Sequence, residues 1–149
     1  CTRFFNIVNL IFAGVGVALK LISALEGGDS EAVFEEFGDL AAIGTIADIV
    51  PLTGENRIIV ARGLGLIKNS CRPGIIKLLE SAGIKGDVSG SSVAFGIAPR
   101  INAAGRMGDA QAAFQLFISE TETETFPFLS VTLTVTVCFS VQYVLTLIY

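Results

Sequence analysis

Two short stretches hold the side chains whose types and spacing could do chemistry. The first, Gly44-Thr45-Ile46-Ala47-Asp48-Ile49-Val50-Pro51-Leu52-Thr53-Gly54-Glu55-Asn56-Arg57, sets one carboxylate in an apolar run and follows it with a polar turn. A buried lone carboxylate is costly unless a cation or hydrogen-bond donors meet it. Asp48 therefore reads as a candidate ligand for a hard divalent cation, which takes oxygen donors. The competing reading is a helix-terminal aspartate bonded to nearby amides. The second stretch, Arg100-Ile101-Asn102-Ala103-Ala104-Gly105-Arg106-Met107-Gly108-Asp109, places two guanidiniums and an amide among small residues. Guanidinium offers a planar donor fork that suits phosphate, and Gly105 beside paired alanines leaves room for close approach. Alternatively, Arg100 and Arg106 pair with Asp109 or Glu120 on the surface.

The rest of the composition narrows the chemistry. The chain has 149 residues, enough to bury the core of one domain, and contains no histidine. Ser-His and Cys-His catalysis, and histidine-ligated metal sites, cannot be built from these residues alone. Cys1, Cys71 and Cys138 form no CxxC, which argues against a zinc ribbon or disulfide scaffold and for a reducing, cytoplasmic home. The net charge of -4 conceals a segregation. Seven acids and no base lie between Glu26 and Asp48, whereas eight bases face only Glu80 and Asp87 from Arg57 to Arg106. A basic middle suits a phosphate-rich partner; a solvated helical face with ordinary lysines would read the same way.

Short helices must position these residues. Val17, Leu21 and Leu25 recur at helical spacing over 13–26, and Gly27-Gly28 supplies a stop. Asp29 and Ser30 can cap a helix that Gly38 would end. The span 40–50 is ambiguous between buried helix and buried strand; its alanines favour helix, and Pro51 limits it. Asp48 then falls at a helix C-terminus, where the dipole disfavours an anion and a bound cation would compensate. Helices are also expected over 55–68, over 73–82 with Pro73 first, from Ser89–Ser92 to Ala98 with Pro99 as an interruption, and over 110–118 with Asp109 as cap. No β-hairpin signal occurs in 13–118.

Both ends differ from this pattern. The chain does not begin with Met, so a fragment or processed product is expected. From Phe126 to Tyr149 there is no charge, and Val131 to Val137 alternates with threonine. The length would span a bilayer; a β-strand, or sequence foreign to the native domain, are the other readings of this tail. Residues 1–12 share that uncertainty.

The middle of the chain resembles the RecJ family of single-strand-specific exonucleases, in the DHH phosphoesterase superfamily. The resemblance covers roughly 13–118. It rests on Ala13-Gly14-Val15-Gly16-Val17-Ala18-Leu19-Lys20, on Asp39 through Arg57, on Arg72-Pro73-Gly74, and on Phe95 through Asp109. It implies an α/β parent with a DHH phosphoesterase domain, of which this piece is mainly α-helical: 13–57 ends the catalytic domain, 58–119 is a helical connection, and 120–149 is an atypical uncharged tail. It implies metal-dependent hydrolysis of single-stranded DNA from the 5′ end, in DNA repair and recombination, with Mn2+ or Mg2+. Asp48 would be a catalytic metal ligand; Arg100, Asn102 and Arg106 would hold substrate phosphate. Asn56 and Arg57 would orient the ligands from behind, or else start a solvated helix. A helicase or a single-strand-binding protein would be the protein partners.

The departures carry equal weight. The family's Asp-His-His triplet would lie upstream and its glycine-rich substrate-binding domain downstream, and this chain has neither. One aspartate cannot hold two metals, so the 149-mer alone is expected to be inactive. With no Trp and Phe95 the nearest aromatic to the basic segment, base stacking is sparsely represented. The other readings are a DHH-type phosphodiesterase acting on oligonucleotides or small nucleotides, a non-enzymatic helical module attached to a membrane by its tail, and a gene remnant.

Overall fold

A computed structural model of the chain describes residues 12–106 and 110–119. Among these residues every regular element is helical, as expected. The helices are α1 Gly14–Leu25, α2 Ser30–Ala47, α3 Gly54–Lys68, α4 Pro73–Ser81, the single turn α5 Gly90–Ser92, a π-helical turn Val93–Ile97, α6 Ala98–Arg106 and α7 Ala110–Ile118. They fall into two compact units, one running through Asn69 with Val88–Ala94, the other comprising Ser70–Asp87 and the chain from Phe95 onward. The tail expected over 120–149, the uncertain first residues, and the proposed Asp109 cap lie outside the described residues.

In the first unit α2 packs against both α1 and α3. Asp29 caps α2 by accepting the Ala32 N–H at 3.0 Å, as the sequence suggested. Gly38, however, does not end that helix: α2 continues unbroken to Ala47. The reason is packing. A Cβ at Gly38 would sit 2.7 Å from the Phe34 ring and 2.8 Å from Leu66, and one at Gly63 would sit 2.5 Å from the Gly38 carbonyl oxygen. Two glycines thus let α2 and α3 approach backbone to backbone, and the contact outweighs the roughly 1 kcal/mol helix penalty of glycine. Phe34, Ala41 and Ile59 form a buried cluster, onto which Phe12, Val15, Leu19 and Leu66 pack. The ambiguous span 40–50 resolves as helix up to Ala47.

In the second unit α7 packs against α4 and α6. Ile75, Leu78, Ile97 and Leu116 are fully buried. Gly74 is in direct contact with α7: a Cβ there would lie 1.9 Å from the Leu116 carbonyl oxygen. Pro73 occupies the first helical turn of α4 as expected. The expected interruption at Pro99 does not occur, and α6 runs through it. Proline removes one N–H from the helical ladder; here the turn before it is the wider π-helical turn Val93–Ile97, where the ladder shifts register, and Pro99 sits second in the α-helical run that follows.

Candidate functional site

Asp48 stands where α2 ends. Its N–H donates to Gly44 O at 3.0 Å and its backbone remains near helical, at φ −78° and ψ −5°. The next residue breaks the helix: Ile49 adopts φ +53°, and its side chain is 89% exposed. A β-branched residue rarely takes the left-handed conformation, so this turn carries backbone strain. The consequence corrects the reading of Asp48 as a buried carboxylate. Past the last apolar turn of α2, Asp48 is exposed, and the buried carboxylate of this helix is Asp39, at 6% exposure. Asp39 accepts the Leu40 N–H at 2.7 Å.

Asn56, in the first turn of α3, is buried at 3% exposure, and its Nδ2 donates to Pro51 O at 3.0 Å. The Thr53 N–H donates to the same carbonyl at 2.9 Å. Two donors therefore fix the turn that leaves Asp48, while Arg57 next to Asn56 is exposed. Asp48 lies at the negative end of the α2 dipole, where a cation is favoured. Its carboxylate is open to a divalent ion as one oxygen donor. No group of three or more His, Cys, Asp or Glu side chains gathers among the described residues, so these residues fit one ligand of a metal site rather than a complete one.

The second candidate segment belongs to the other unit. Arg100, on the first turn of α6, spends its fork on backbone: Nη1 donates to Gly96 O and Nη2 to Ser81 O, the latter at 3.2 Å. Its Nε is buried without a partner among the described residues. Arg100 therefore ties the π-helical turn to the last turn of α4 instead of presenting a free fork; Asp109 and Glu120, its alternative ion-pair partners, lie outside the described residues. Asn102 is exposed on α6, and Arg106 is the last residue of that helix.

The basic middle is partly neutralised within the first unit. Arg62 on α3 donates to Glu31 through both terminal nitrogens, at 2.5 and 3.0 Å, and reaches Glu35 at 3.3 Å. Its guanidinium also lies 4.4 Å from the centroid of the Phe34 ring. The hydrogen bonds from Arg62 hold the Glu31 carboxyl below the ordinary carboxylate range, against a smaller opposing effect of desolvation. Lys20 pairs with Glu55 at 2.6 Å. An acidic 26–48 run facing a basic helix is thus partly an internal arrangement, a pairing that needed the α2–α3 packing to become visible. Cys71 is free and exposed. No helix among the described residues is long and apolar enough to cross a membrane.

No family model matches the chain. Individual proteins do. The chain is 47% identical over 109 residues to the single-stranded-DNA-specific exonuclease RecJ of Bacillus subtilis, covering 72% of this chain and 13% of that protein. It is 45% identical over 107 residues to RecJ of Thermus thermophilus, covering 72% and 16%, and 37% identical over 128 residues to RecJ of Escherichia coli, covering 77% and 22%. Among solved structures, RecJ of Thermus thermophilus in complex with Mg2+ matches with a TM-score of 0.64 at 41% identity, over 69% of this chain and 16% of that one. A RecJ structure bound to manganese matches equally well over 26% of its length. The chain is homologous to a segment of RecJ exonucleases, and its helical architecture is that of the segment. It spans between 13% and 22% of the length of these curated relatives.

Proposed function

We propose that this RecJ-like segment contributes one metal ligand and part of the strand-binding surface to a metal-dependent exonuclease that hydrolyses single-stranded DNA from its 5′ end. Asp48 offers its carboxylate to the catalytic cation, Mn2+ or Mg2+. The bound ion would supply Lewis acidity and a water activated near neutral pH. Asn56 acts from behind by holding the Pro51 carbonyl, which sets the course of the backbone leaving Asp48; exposed Arg57 adds positive charge beside it. Asn102 and Arg106 contact backbone phosphate. Arg100, committed to two carbonyls, contributes its field and its clamp on the segment, and a phosphate would have to compete for its fork. DNA repair and recombination in the cytoplasm, with a helicase or a single-strand-binding protein delivering the strand, belongs to the same reading.

The observation that carries this proposal is the exposed Asp48 carboxylate on a strained turn pinned by buried Asn56, in a chain 41% identical to RecJ structures solved with Mg2+ or Mn2+. The test is a transplant. Residues 13–118 replace the corresponding segment of Thermus thermophilus RecJ, and exonuclease activity is measured with Mn2+. The chimera is expected to be active, and Asp48→Asn in it to lose more than about 100-fold, beyond the 10–100-fold typical of groups that only orient a ligand. A folded, active chimera in which Asp48→Asn retains activity would remove Asp48 from the site.

A further inference from the structure

Phe95 is the most exposed aromatic among the described residues, with 82% of its surface accessible, and nothing in the mechanism above uses it. It does not sit on a loose loop. It lies in the π-helical turn Val93–Ile97, where the residues on either side of the ring's position, Val93 and Ile97, are fully buried. π-Helical turns within helices occur often at functional sites because the wider turn redirects side chains. The mount is held from two sides. Gly96, next in sequence, packs so closely that a Cβ there would lie 3.0 Å from Ile84 and 3.3 Å from Ala82. Its carbonyl accepts from Arg100, whose other terminal nitrogen holds Ser81 O at 3.2 Å. An exposed ring on a backbone clamped by a buried-side arginine is a rigid apolar projection.

The neighbouring register gives the projection a partner. Phe95, Pro99 and Asn102 follow one another at four and three residues and are all exposed, while Ile97, Ala98 and Ala103 on the other side are buried. They therefore make one outward face. In sequence, Arg72, Lys77, Lys85, Arg100 and Arg106 flank this face against Glu80 and Asp87, although Lys77 pairs with Glu80 at 3.0 Å, Arg100 is held by two carbonyls, and four acids (Asp109, Glu120, Glu122 and Glu124) follow Arg106. An exposed ring on the same face as an exposed amide, with Lys85 and Arg106 in the same stretch of chain, supplies the elements that sequence-tolerant strand binding uses: charge for the phosphates, an aromatic face for the base. We infer that Phe95 is a stacking platform for an unpaired base of single-stranded nucleic acid, with Asn102, two turns further along the same face, toward the sugar-phosphate chain. This inference rests on the strand-binding role proposed above and adds to it a site that reads bases as π-faces without regard to sequence.

The 149-residue chain lacks tryptophan, so Phe95→Trp creates a single indole reporter at the platform. Its emission is followed while a short oligothymidylate, or an abasic strand of the same length, is added. Quenching by the base-bearing strand and not by the abasic one is expected. Phe95→Ala is expected to weaken binding of oligothymidylate by about 10-fold and to leave the abasic strand and the salt dependence unchanged. Because the ring is exposed, neither variant should disturb the core; circular dichroism checks this. If the chain binds both strands equally and Phe95→Ala changes neither, the stacking platform is overturned while the strand-binding role stands. If the parent chain binds neither strand at low salt, the strand-binding role itself falls, and the platform with it.

Discussion

At the scale of single residues, the backbone of Ile49 makes the most direct prediction. An L-residue in the left-handed region costs about 1–2 kcal/mol relative to a right-handed one, and Ile49 holds φ +53° with its side chain 89% exposed. Little burial offsets that cost. Ile49→Gly should therefore stabilise the chain by about 1 kcal/mol, read as a higher denaturant midpoint at unchanged slope. A lower midpoint would mean that the side chain makes contacts its exposure does not reveal. Glu31 gives a second prediction, on pH. Its folded-state carboxyl lies below its ordinary value of 4.5 because Arg62 hydrogen-bonds to it. A depressed acid stabilises the fold above that value, and the contribution is lost as pH falls through the folded value. Arg62 is itself raised, but it stays charged in both states and adds no pH window. Glu31→Gln should accordingly flatten the acid side of the stability profile below about pH 4.5 and leave the slope near pH 7 unchanged. The pair is exposed, so added salt should shrink the difference between the two proteins. Asp48 and Asp39 show what residue-level reading could and could not see. That an aspartate in an apolar run needed explanation was legible; which of two aspartates would be buried depended on where α2 stopped, nine residues further on.

At the scale of elements, the α2–α3 contact is set by the absence of side chains. A methyl at Gly63 would meet Ala42 Cβ at 2.4 Å and the Gly38 carbonyl oxygen at 2.5 Å, and a carbonyl in a helix cannot swing aside as a flexible side chain can. Gly63→Ala should lose about 2–3 kcal/mol from overpacking, although alanine is the better helix former by up to about 1 kcal/mol. Gly65 lies on the same helix with nothing within 4 Å of its would-be Cβ, so Gly65→Ala should gain stability, by about 0.5–1 kcal/mol. Thermal melts of the two variants, differing in sign, separate helix propensity from helix contact; a stabilised Gly63→Ala would mean that the helices are free to part. The same physics explains the errors in reading elements from sequence. Helical spacing and Pro73 located α1, α3, α4 and α7 to within a residue or two, whereas the length of α2 and the existence of α6 were missed. Gly38 and Pro99 misled because local punctuation was read without its surroundings: one glycine serves a tertiary contact inside α2, and the proline falls in the first turn of a helix reset by a π-helical turn that no periodicity announced.

At the scale of the whole chain, the question is what a segment can do alone. The collinear strings at 39–57 and 95–109 made the kinship legible, and the helical character followed from spacing. The pairing of acidic α2 with basic α3 was not legible, because it depends on contacts between residues some thirty apart, such as Arg62 with Glu31. Two-metal phosphodiester chemistry needs several oxygen donors converging on ions roughly 4 Å apart. The described residues supply Asp48 without two companions of its type, and the chain spans 13% to 22% of the relatives it matches. A single carboxylate at the end of a helix holds a divalent ion no more tightly than the weakest sites, on the order of millimolar. Ligand stabilisation scales as RT ln(1 + [L]/Kd). At one tenth of that Kd it comes to only about 0.06 kcal/mol, far below what a thermal melt resolves. Sub-millimolar Mn2+ should therefore leave the melting midpoint of the 149-mer in place, Asp48→Asn should melt alike with and without the ion, and a labelled single strand should remain intact. A midpoint that rises by several degrees with Mn2+, and that Asp48→Asn abolishes, would instead mean that the chain assembles its own metal centre, and strand cleavage under those conditions would make the 149-mer a nuclease by itself.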